Sequence, residues 1–310
     1  MCTAIKFNDR FFGRTFDYHK SYGEELIILP RGAAPLLESE NRYALMGVGV
    51  SRGATPMLFD GVNEWGLVAA ALNFPGYAVY RGEGDRSIHS GLLTTLVLGL
   101  CRSVDEARGM LEKLEISSHG EGELPPSPLH WIIADGREAM VVEPLDGGLC
   151  IKAAEPALLT NAPDYSFHLT RLADFPSLTA EYPSCGLGGI RTYSMGMGAV
   201  GLPGDFSSAS RFVRGAFVRE HTELDACPDT EAAVNRVLSA MAAVSVPHGC
   251  VQNREGEPSF TRYTVAIDME SPAYYITDHT CHSVRGVGLE DRLTHSGKMI
   301  RMPFYGMGEL

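Results

Sequence analysis

The chain begins with MCTAIKFNDRFFGRTFD, residues 1–17, and this stretch determines the first element of the fold. Residues 2–7 alternate in polarity, 8–10 (NDR) read as a turn, and 11–17 return as a second strand. The stretch therefore predicts a β-hairpin. Its first residue after the methionine is a cysteine, so the hairpin places a thiol at the start of a strand.

Cys2 has a chemical use if Met1 is removed, which a small residue at position two allows. The freed residue would carry a nucleophilic thiol and an α-amine whose pKa is about 7.7–8.0 when exposed. Such an amine accepts a proton near neutral pH, so one residue would supply both nucleophile and general base. We expect no pro-segment before this cysteine. Many chains begin Met-Cys by chance, however, and these two letters alone favour an accident of sequence.

Side chains that would assist a nucleophilic thiol follow in the sequence. Arg14 and Asp17 lie on the strand paired with Cys2, and since side chains alternate, only a bend or a strand end lets both approach the N-terminus. Asn73 and Asn161 each end an apolar strand before a loop with proline (AALNFP, LLTNAP). That position favours a turn, and it also directs an amide at the rim of a sheet, where it could stabilise an oxyanion.

The remaining pattern is that of an α+β layered fold, with strands early and late and helices in clusters between them. No repeat, low-complexity tract or linker interrupts the chain, so we expect a single domain over residues 1–310. Predicted strands and hairpins are 25–29, 43–50, 66–72, 129–144, 149–154 and 262–277. Predicted helices are 89–101, one starting at the capping box S-V-D-E from Ser103, 208–221 and 229–245.

The composition excludes several classes of function. The formal net charge is −12 and basic residues are scattered, which argues against binding of nucleic acid or of an acidic membrane surface. No stretch of eighteen apolar residues and no signal-peptide pattern occurs. Seven cysteines, an odd number, do not resemble a disulfide framework. We expect a soluble protein of a reducing cytoplasm.

Three short motifs suggest known functions but lack the sequence context or spacing that each function needs. Gly49–Gly53 matches the G-x-S-x-G of serine hydrolases, but strand-type residues with Pro56 follow where an elbow needs a helix. The G-x-G-x-x-G at 196–201 precedes Leu-Pro-Gly rather than the helix of a dinucleotide site. The histidines and cysteines at 248–250 and 279–282 fit no common zinc spacing. We expect no metal and no organic cofactor.

Several segments together resemble the choloylglycine hydrolases, the family of conjugated bile acid hydrolases and penicillin V acylases among the N-terminal-nucleophile hydrolases. They occur in the family's order and at close to its spacing over most of the chain. The segments are MCT (1–3), FGRTFD (12–17), FDGVNEWGL (59–67), LNFPGY (72–77), LHW (129–131), LLTNAP (158–163) and GLPGDFSSASRF (201–212).

The resemblance implies a four-layer αββα sandwich in which Cys2 starts a central strand. It makes Cys2 the nucleophile and its freed amine the base. It also implies that Arg14 lies beside the thiolate and that Asp17 holds the region of the α-amine and the sulfur. A homotetramer is a further implication of the family.

The resemblance also assigns an oxyanion hole and a substrate. The backbone N–H of Asn73 and the side-chain amide of Asn161 would form the hole, and Arg211 would support the charge around the nucleophile. Asparagine at position 73 resembles the bile salt branch, since many penicillin V acylases carry tyrosine there. A penicillin V acylase, an acylase for other N-acyl amides such as N-acyl homoserine lactones, or a catalytically silent ligand-binding member are the alternatives. Residues at the positions of the family's acyl pocket, which core packing explains about as well, are Phe16, Phe59, Leu124 and Leu129.

Overall fold

The computed structural model describes residues 1–37, 39–51, 53–83, 87–119, 126–290, 294–295, 297–303 and 305. Two large antiparallel sheets pack face to face, and helices cover their outer faces. The predicted α+β, four-layer αββα sandwich is confirmed.

The strands are β1 (Cys2–Lys6), β2 (Phe11–Tyr18), β3 (Glu25–Leu29), β4 (Pro35–Leu36), β5 (Ser39–Glu40), β6 (Leu45–Val50), β7 (Met57–Asn63), β8 (Val68–Asn73), β9 (Ser87–Ile88), β10 (Glu115–Ile116), β11 (Leu129–Ala134), β12 (Ala139–Leu145), β13 (Gly148–Ala153), β14 (Leu158–Leu159), β15 (Phe260–Asp268), β16 (Ala273–Asp278), β17 (Arg285–Gly288) and β18 (Ile300–Met302). The α-helices are α1 (Leu93–Leu100), α2 (Val104–Leu111), α3 (Tyr165–Leu172), α4 (Ser208–His221) and α5 (Thr230–Ala242).

The strand order shows how distant segments become neighbours. The first sheet runs β14-β1-β2-β15-β16-β17, so the N-terminal hairpin lies between residues from the middle and from the end of the chain. The second sheet runs β13-β12-β11-β8-β7-β6-β3-β18. Helices α4 and α5 pack on the first sheet, and α1 and α2 pack on the second.

The second sheet is apolar on both faces because it is covered on both. In β3, Leu26 and Ile28 belong to the core shared with the first sheet, whereas Ile27 and Leu29 belong to the core beneath α1 and α2. Successive strand residues point to opposite faces, so a strand buried on both sides reads as a continuous apolar run. This explains the sequence ELIIL at residues 25–29.

Most predicted elements form close to their predicted bounds. The N-terminal hairpin is confirmed, and α4 covers the predicted residues 208–221. Ser103 caps α2 as predicted, its Oγ accepting a hydrogen bond from Glu106 N at 3.2 Å. Strand β7 and helix α3 were not predicted. Strand β7 was missed because Asp60 and Gly61 interrupt its apolar run.

The structure also shows what surrounds the three short motifs. Gly49 and Val50 end β6, and the next described strand or helix is β7, so no helix follows the G-x-S-x-G. Within 196–201 there is a single 3₁₀ turn, Met197–Ala199. Among the described residues, no group of three or more His, Cys, Asp or Glu side chains is arranged to hold a metal ion.

Candidate active site

Cys2 opens β1 and its side chain is only 3% exposed. In the register of the hairpin, Cys2 lies opposite Phe16 and Ala4 lies opposite Arg14, so these four side chains share the face turned toward the second sheet. The Arg14 Nη2 atom lies 3.7 Å from Cys2 Sγ and also donates to Ala71 O at 3.0 Å. The thiol therefore has a buried guanidinium at hydrogen-bonding distance.

Asp17 lies on the opposite face of the same strand. Its carboxylate accepts hydrogen bonds from Thr261 Oγ1 at 2.6 Å and from Thr15 Oγ1 at 3.3 Å, and Arg211 Nη1 is 4.0 Å from Oδ2. The prediction that only a bend or a strand end lets both Arg14 and Asp17 approach the N-terminus is therefore wrong. They flank Cys2 from opposite faces because ordinary strand alternation persists between them.

The N-terminal amine of the chain, at Met1, lies beside Asp17. It donates to Asp17 O at 2.6 Å, and Asp17 N donates to Met1 O at 3.0 Å, which extends the ladder between β1 and β2 by one residue. Burial lowers the pKa of this amine, while the charges of Cys2 and Asp17 act to raise it. A lowered pKa favours the neutral amine, the form that accepts a proton.

Two β-bulges orient side chains around the site. On β15 the pairing passes from Thr261, opposite Asp17, to Tyr263, opposite Phe16, and leaves Arg262 unpaired. Thr261 and Tyr263 thus point to opposite faces, although residues two apart in a regular strand share a face. On β7 the pairing passes from Leu58 to Asp60 and leaves Phe59 as the extra residue.

Asn161 connects three parts of the site through its side-chain amide. Its Oδ1 accepts from Cys2 N and from Arg211 Nη2, both at 2.7 Å, and its Nδ2 donates to Asn73 O at 2.8 Å. One of the two N–H groups of Asn161 Nδ2 therefore donates to Asn73 O. The three hydrogen bonds fix the plane of the amide, and with it the direction of the second N–H.

The backbone of Asn73 is directed by its own strand. Phe74 N donates to Pro128 O at 2.7 Å, so in the alternating antiparallel ladder the N–H of Asn73 points away from β11. Asn73 and Cys2 line the same cavity. The two donors that the sequence suggested for an oxyanion hole are therefore neighbours, since Asn161 bonds both Asn73 and Cys2.

Arg211 lies in the first turn of α4 and is fully buried. Its Nη1 donates to Cys2 O at 2.5 Å and to Thr3 Oγ1 at 2.6 Å, and its Nη2 holds Asn161 Oδ1. Burial lowers the pKa of Arg211, and Asp17 and Cys2 act in the opposite direction. This arginine thus holds the backbone of the candidate nucleophile rather than its sulfur.

Sequence reasoning missed the side chains that hydrogen-bond to the backbone of Asn161 and of its neighbour Thr160. Ser208 Oγ accepts from Asn161 N and donates to Asn161 O, each at 2.9 Å. His168 Nε2 is 2.8 Å from the same carbonyl oxygen, and His130 Nε2 is 3.1 Å from Thr160 O. A buried histidine gives no distinctive signal in a single sequence, but Ser208 falls inside the quoted GLPGDFSSASRF segment.

Sequence reasoning also missed Asp60, which is buried between the sheets. It bonds Arg14, Tyr263 and Tyr274. Its signal was available, because a charged residue inside the apolar run MLFDGVN requires a buried partner.

The cavity in front of Cys2 is mainly apolar and aromatic. Phe16 stacks on Phe59 with ring centroids 5.2 Å apart and planes within 6°, and Tyr22 meets Phe59 edge-on. Leu129 lines the cavity, as do Phe16 and Phe59, whereas Leu124 lies outside the described residues. The residues lining the cavity are Cys2, Arg14, Phe16, Tyr18, Tyr22, Val50, Met57, Leu58, Phe59, Ala71, Asn73, His89, Gly91, Ser127, Pro128 and Leu129.

Two stacked antiparallel sheets between helical layers, with a cysteine starting an inner strand at the floor of a cavity, define the N-terminal-nucleophile class of hydrolases. Residues 2–299 match the family described as linear amide C-N hydrolases, choloylglycine hydrolase family. The chain belongs to this family.

Individual relatives agree with this assignment. The chain is 34% identical to a bile salt hydrolase/transferase of Lactiplantibacillus plantarum, over 98% of this chain and 97% of the relative. A crystal structure of a mutant conjugated bile acid hydrolase from Clostridium perfringens superposes with a TM-score of 0.88 at 27% identity, covering 98% of this chain and 97% of that one. A penicillin V acylase from Agrobacterium tumefaciens shares the fold, with a TM-score of 0.76 at 23% identity over 97% of this chain and 90% of the other.

The structure also bears on membrane association. Across the described part of the chain, every helix is too short or too polar to cross a bilayer.

Proposed function

We propose that this chain hydrolyses the amide bond of glycine- or taurine-conjugated bile acids, with Cys2 as nucleophile. The observation that carries the proposal is a buried thiol 3.7 Å from a guanidinium at the floor of an apolar cavity. Relatives named as bile salt hydrolases over nearly the whole chain support the substrate class. A steroid acyl group needs an apolar wall of this kind, with few polar groups to orient the amide.

In the proposed cycle the α-amine of Cys2, freed by loss of Met1, takes the thiol proton. The thiolate attacks the amide carbonyl, and the oxyanion is held by Asn73 N–H and Asn161 Nδ2. Each such donor lowers the barrier by about 3 kcal/mol. The protonated amine then gives its proton to the departing glycine or taurine nitrogen, which leaves a thioester at Cys2. Water, deprotonated by the same amine, hydrolyses this thioester.

Arg14, Asp17 and Arg211 assist this cycle in different ways. Arg14 stabilises the thiolate through its charge. Arg211 orients Cys2 by donating a hydrogen bond to the Cys2 carbonyl oxygen. Asp17 acts to raise the pKa of the Met1 amine, and we propose that its charge acts in the same direction on the freed amine of Cys2. With Met1 attached, the Cys2 nitrogen is a peptide N–H that donates to Asn161, and it has no basicity to contribute.

The direct test measures the release of glycine or taurine from glycocholate and taurocholate. Intact-mass analysis of the same sample gives the fraction of chains that begin at Cys2. We expect hydrolysis in proportion to that fraction, and none in Cys2→Ala. Hydrolysis by Cys2→Ala at the parent rate would remove Cys2 from the mechanism.

A second candidate substrate is penicillin V, whose acyl group ends in a flat aromatic ring. The aromatic lining of the cavity favours such a ring, because Phe59, which stacks on Phe16, and Tyr22 offer it aromatic contacts. Turnover of penicillin V with neither bile salt cleaved would establish the acylase alternative. An N-acyl homoserine lactone serves as a third substrate in the same assay. Binding of cholate with no turnover of any amide would identify a catalytically silent member.

Three further features are proposed, the homotetramer from the family resemblance and the other two from the sequence pattern and composition. We propose one domain over residues 1–310, a homotetramer and a cytoplasmic location. A single unfolding transition and a light-scattering mass of four chains would support the first two. Fractionation of cells producing the native chain would test the third.

A further inference from the structure

A buried polar cluster lies between the two sheets, directly behind Arg14. Its members, Arg14, Asp60, Tyr263 and Tyr274, are each no more than 1% exposed. Asp60 comes from β7 of the second sheet, and the other three come from β2, β15 and β16 of the first. The surrounding interlayer core is apolar, so this cluster needs a specific reason to be there.

Every described hydrogen bond of the Asp60 side chain is made within this cluster. Its Oδ2 accepts from Arg14 Nη1 and from Tyr263 OH, the latter at 2.7 Å, and its Oδ1 accepts from Tyr274 OH. Arg14 Nη1 also contacts Tyr263 OH. Both carboxylate oxygens thus receive hydrogen bonds from rigid side chains rooted in neighbouring strands.

We propose that Asp60 is a positioning residue for the reaction, and that it acts by fixing the Arg14 guanidinium against Cys2. A guanidinium is planar, so holding Nη1 determines the direction of Nη2. In this structure Nη2 lies 3.7 Å from Cys2 Sγ and donates to Ala71 O at 3.0 Å. The inference rests on the proposed role of Cys2 as nucleophile.

The β7 bulge explains how Asp60 reaches this place. A regular strand would turn adjacent residues to opposite faces, yet Phe59 stacks on Phe16 while Asp60 bonds Arg14, and both partners lie on the same face of β2. One bulge thus supplies an aromatic wall of the cavity and the anchor of the arginine.

Asp60 has two opposing effects on the ionisation of the Cys2 thiol, and they predict opposite results when the carboxylate is removed. Its negative charge disfavours a nearby thiolate, whereas its hold on Arg14 keeps a positive charge beside the sulfur. If positioning dominates, loss of the Asp60 carboxylate makes the thiolate harder to form. If the bare charge dominates, the same loss makes the thiolate easier to form.

The test is Asp60→Asn, read by the rate of alkylation of Cys2 with iodoacetamide across a pH series. Peptide mass spectrometry follows Cys2 separately from the other six cysteines. We expect the midpoint of this pH profile to move to higher pH, and kcat for glycocholate to fall about ten- to a hundredfold with KM little changed. A midpoint that moves to lower pH or stays in place would overturn the proposal.

Asp268→Asn is the matched control. Asp268 is also buried and pairs with an arginine, Arg10 Nη2, at 2.6 Å, but this pair lies at the other end of the hairpin. We expect Asp268→Asn to lower the free energy of unfolding without moving the alkylation profile. An equal movement of the profile in both variants would show a general loss of structure and overturn the specific role of Asp60.

Two further variants keep the proposal falsifiable if Asp60→Asn does not fold. Tyr274→Phe removes one hydrogen bond to Asp60, and we expect a smaller movement of the profile in the same direction. In an Arg14→Met background, Asp60→Asn should reduce kcat no further, because the anchor has nothing left to hold. Alkylation needs no substrate, so a chain that cleaves no bile salt but shows the predicted profiles would refute the proposed function alone.

Discussion

Two buried arginines contact Cys2 from opposite faces of one sheet, and their charges are compensated differently. Arg14 reaches the sulfur and is paired directly with the Asp60 carboxylate. Arg211 reaches the carbonyl oxygen of Cys2 and other neutral oxygens, and its described carboxylate neighbour, Asp17, is 4.0 Å away.

The difference assigns separate tasks to the two faces. Burial acts to lower the pKa of Arg14, but Tyr263 and Asp60 outweigh it and raise this pKa above the ordinary value. Burial lowers the pKa of Arg211, because its carboxylate neighbour, Asp17, lies at 4.0 Å and does not outweigh the burial. A compensated cation is suited to holding charge beside the sulfur, and a cation bonded to neutral oxygens is suited to fixing their geometry.

The largest effect is expected for Arg14→Met. It removes the charge beside the thiol and leaves Asp60 as an unpaired buried carboxylate. We expect kcat to fall about a thousandfold and the free energy of unfolding to fall by about 3–5 kcal/mol. Steady-state kinetics and urea unfolding measure the two quantities. A stability unchanged by Arg14→Met would contradict the view that this arginine is held mainly by a carboxylate.

A smaller loss is expected for Arg211→Met. The carbonyl oxygen of Cys2 and the side chains of Thr3 and Asn161 lose a donor, but each of these acceptors is neutral. We expect the free energy of unfolding to fall by about 1–3 kcal/mol and kcat to fall about a hundredfold. If Arg211→Met destabilises the protein more than Arg14→Met does, the comparison between the two faces is wrong.

A shift in pH dependence is expected for Asp17→Asn. Asp17 acts to raise the pKa of the Met1 amine. We expect its charge to act in the same direction on the amine of Cys2 once Met1 is removed, so the variant should have a lower amine pKa. The amine must be neutral to act as base, and the acid limb of kcat/KM should therefore move to lower pH. The pH–rate profile of chains verified to begin at Cys2 measures this. Movement to higher pH would exclude direct action of the Asp17 charge on the amine.

The smallest effect concerns His168, which holds Asn161 on the Arg211 side. Burial lowers the pKa of His168 from its ordinary value of 6.5, so the folded chain keeps it neutral where the unfolded chain takes up a proton. Its contribution to stability is complete above about pH 6.5 and decreases as the pH falls toward the lowered folded value. As the pH falls from 7 to 5, we expect the free energy of unfolding to decrease less in His168→Gln than in the parent.

The exposed His221 provides the control for this measurement. His221→Gln should change stability with pH as the parent does. Parallel curves for the parent and both variants would contradict the role assigned to His168.

Much of the fold was readable from the sequence because local patterns were clear. The hairpin at 1–17 was predicted, and its observed register brings Arg14 to Cys2; the capping serine predicted the start of α2. Cys2, Arg14, Asp17, Asn73 and Asn161 were candidates from local patterns, whereas their separate roles and the addition of Arg211 came from the family resemblance, because no local pattern contains the long-range neighbours.

The rest of the site depends on features that the simple alternation of side chains along a strand does not predict. The bulges at Phe59 and Arg262 reverse the expected faces of the residues that follow them. The face of Asp60 was therefore not predictable from alternation, nor was the separation of Thr261 from Tyr263. Which of several buried acids meets a given arginine is decided by sheet stacking, which a sequence read alone does not show.

The hydrogen bonds of Cys2 to Asn161 and to Arg211 span 159 and 209 residues of the chain. At about 5–20 residues per second, a ribosome needs about 10–40 s to synthesise the longer span. During that interval the bonds to Asn161 and Arg211 cannot both be present, whereas in the finished fold they are made and the Met1 amine is bonded to Asp17. We therefore expect removal of Met1 to take place during translation, and chains refolded with Met1 in place to resist methionine aminopeptidase.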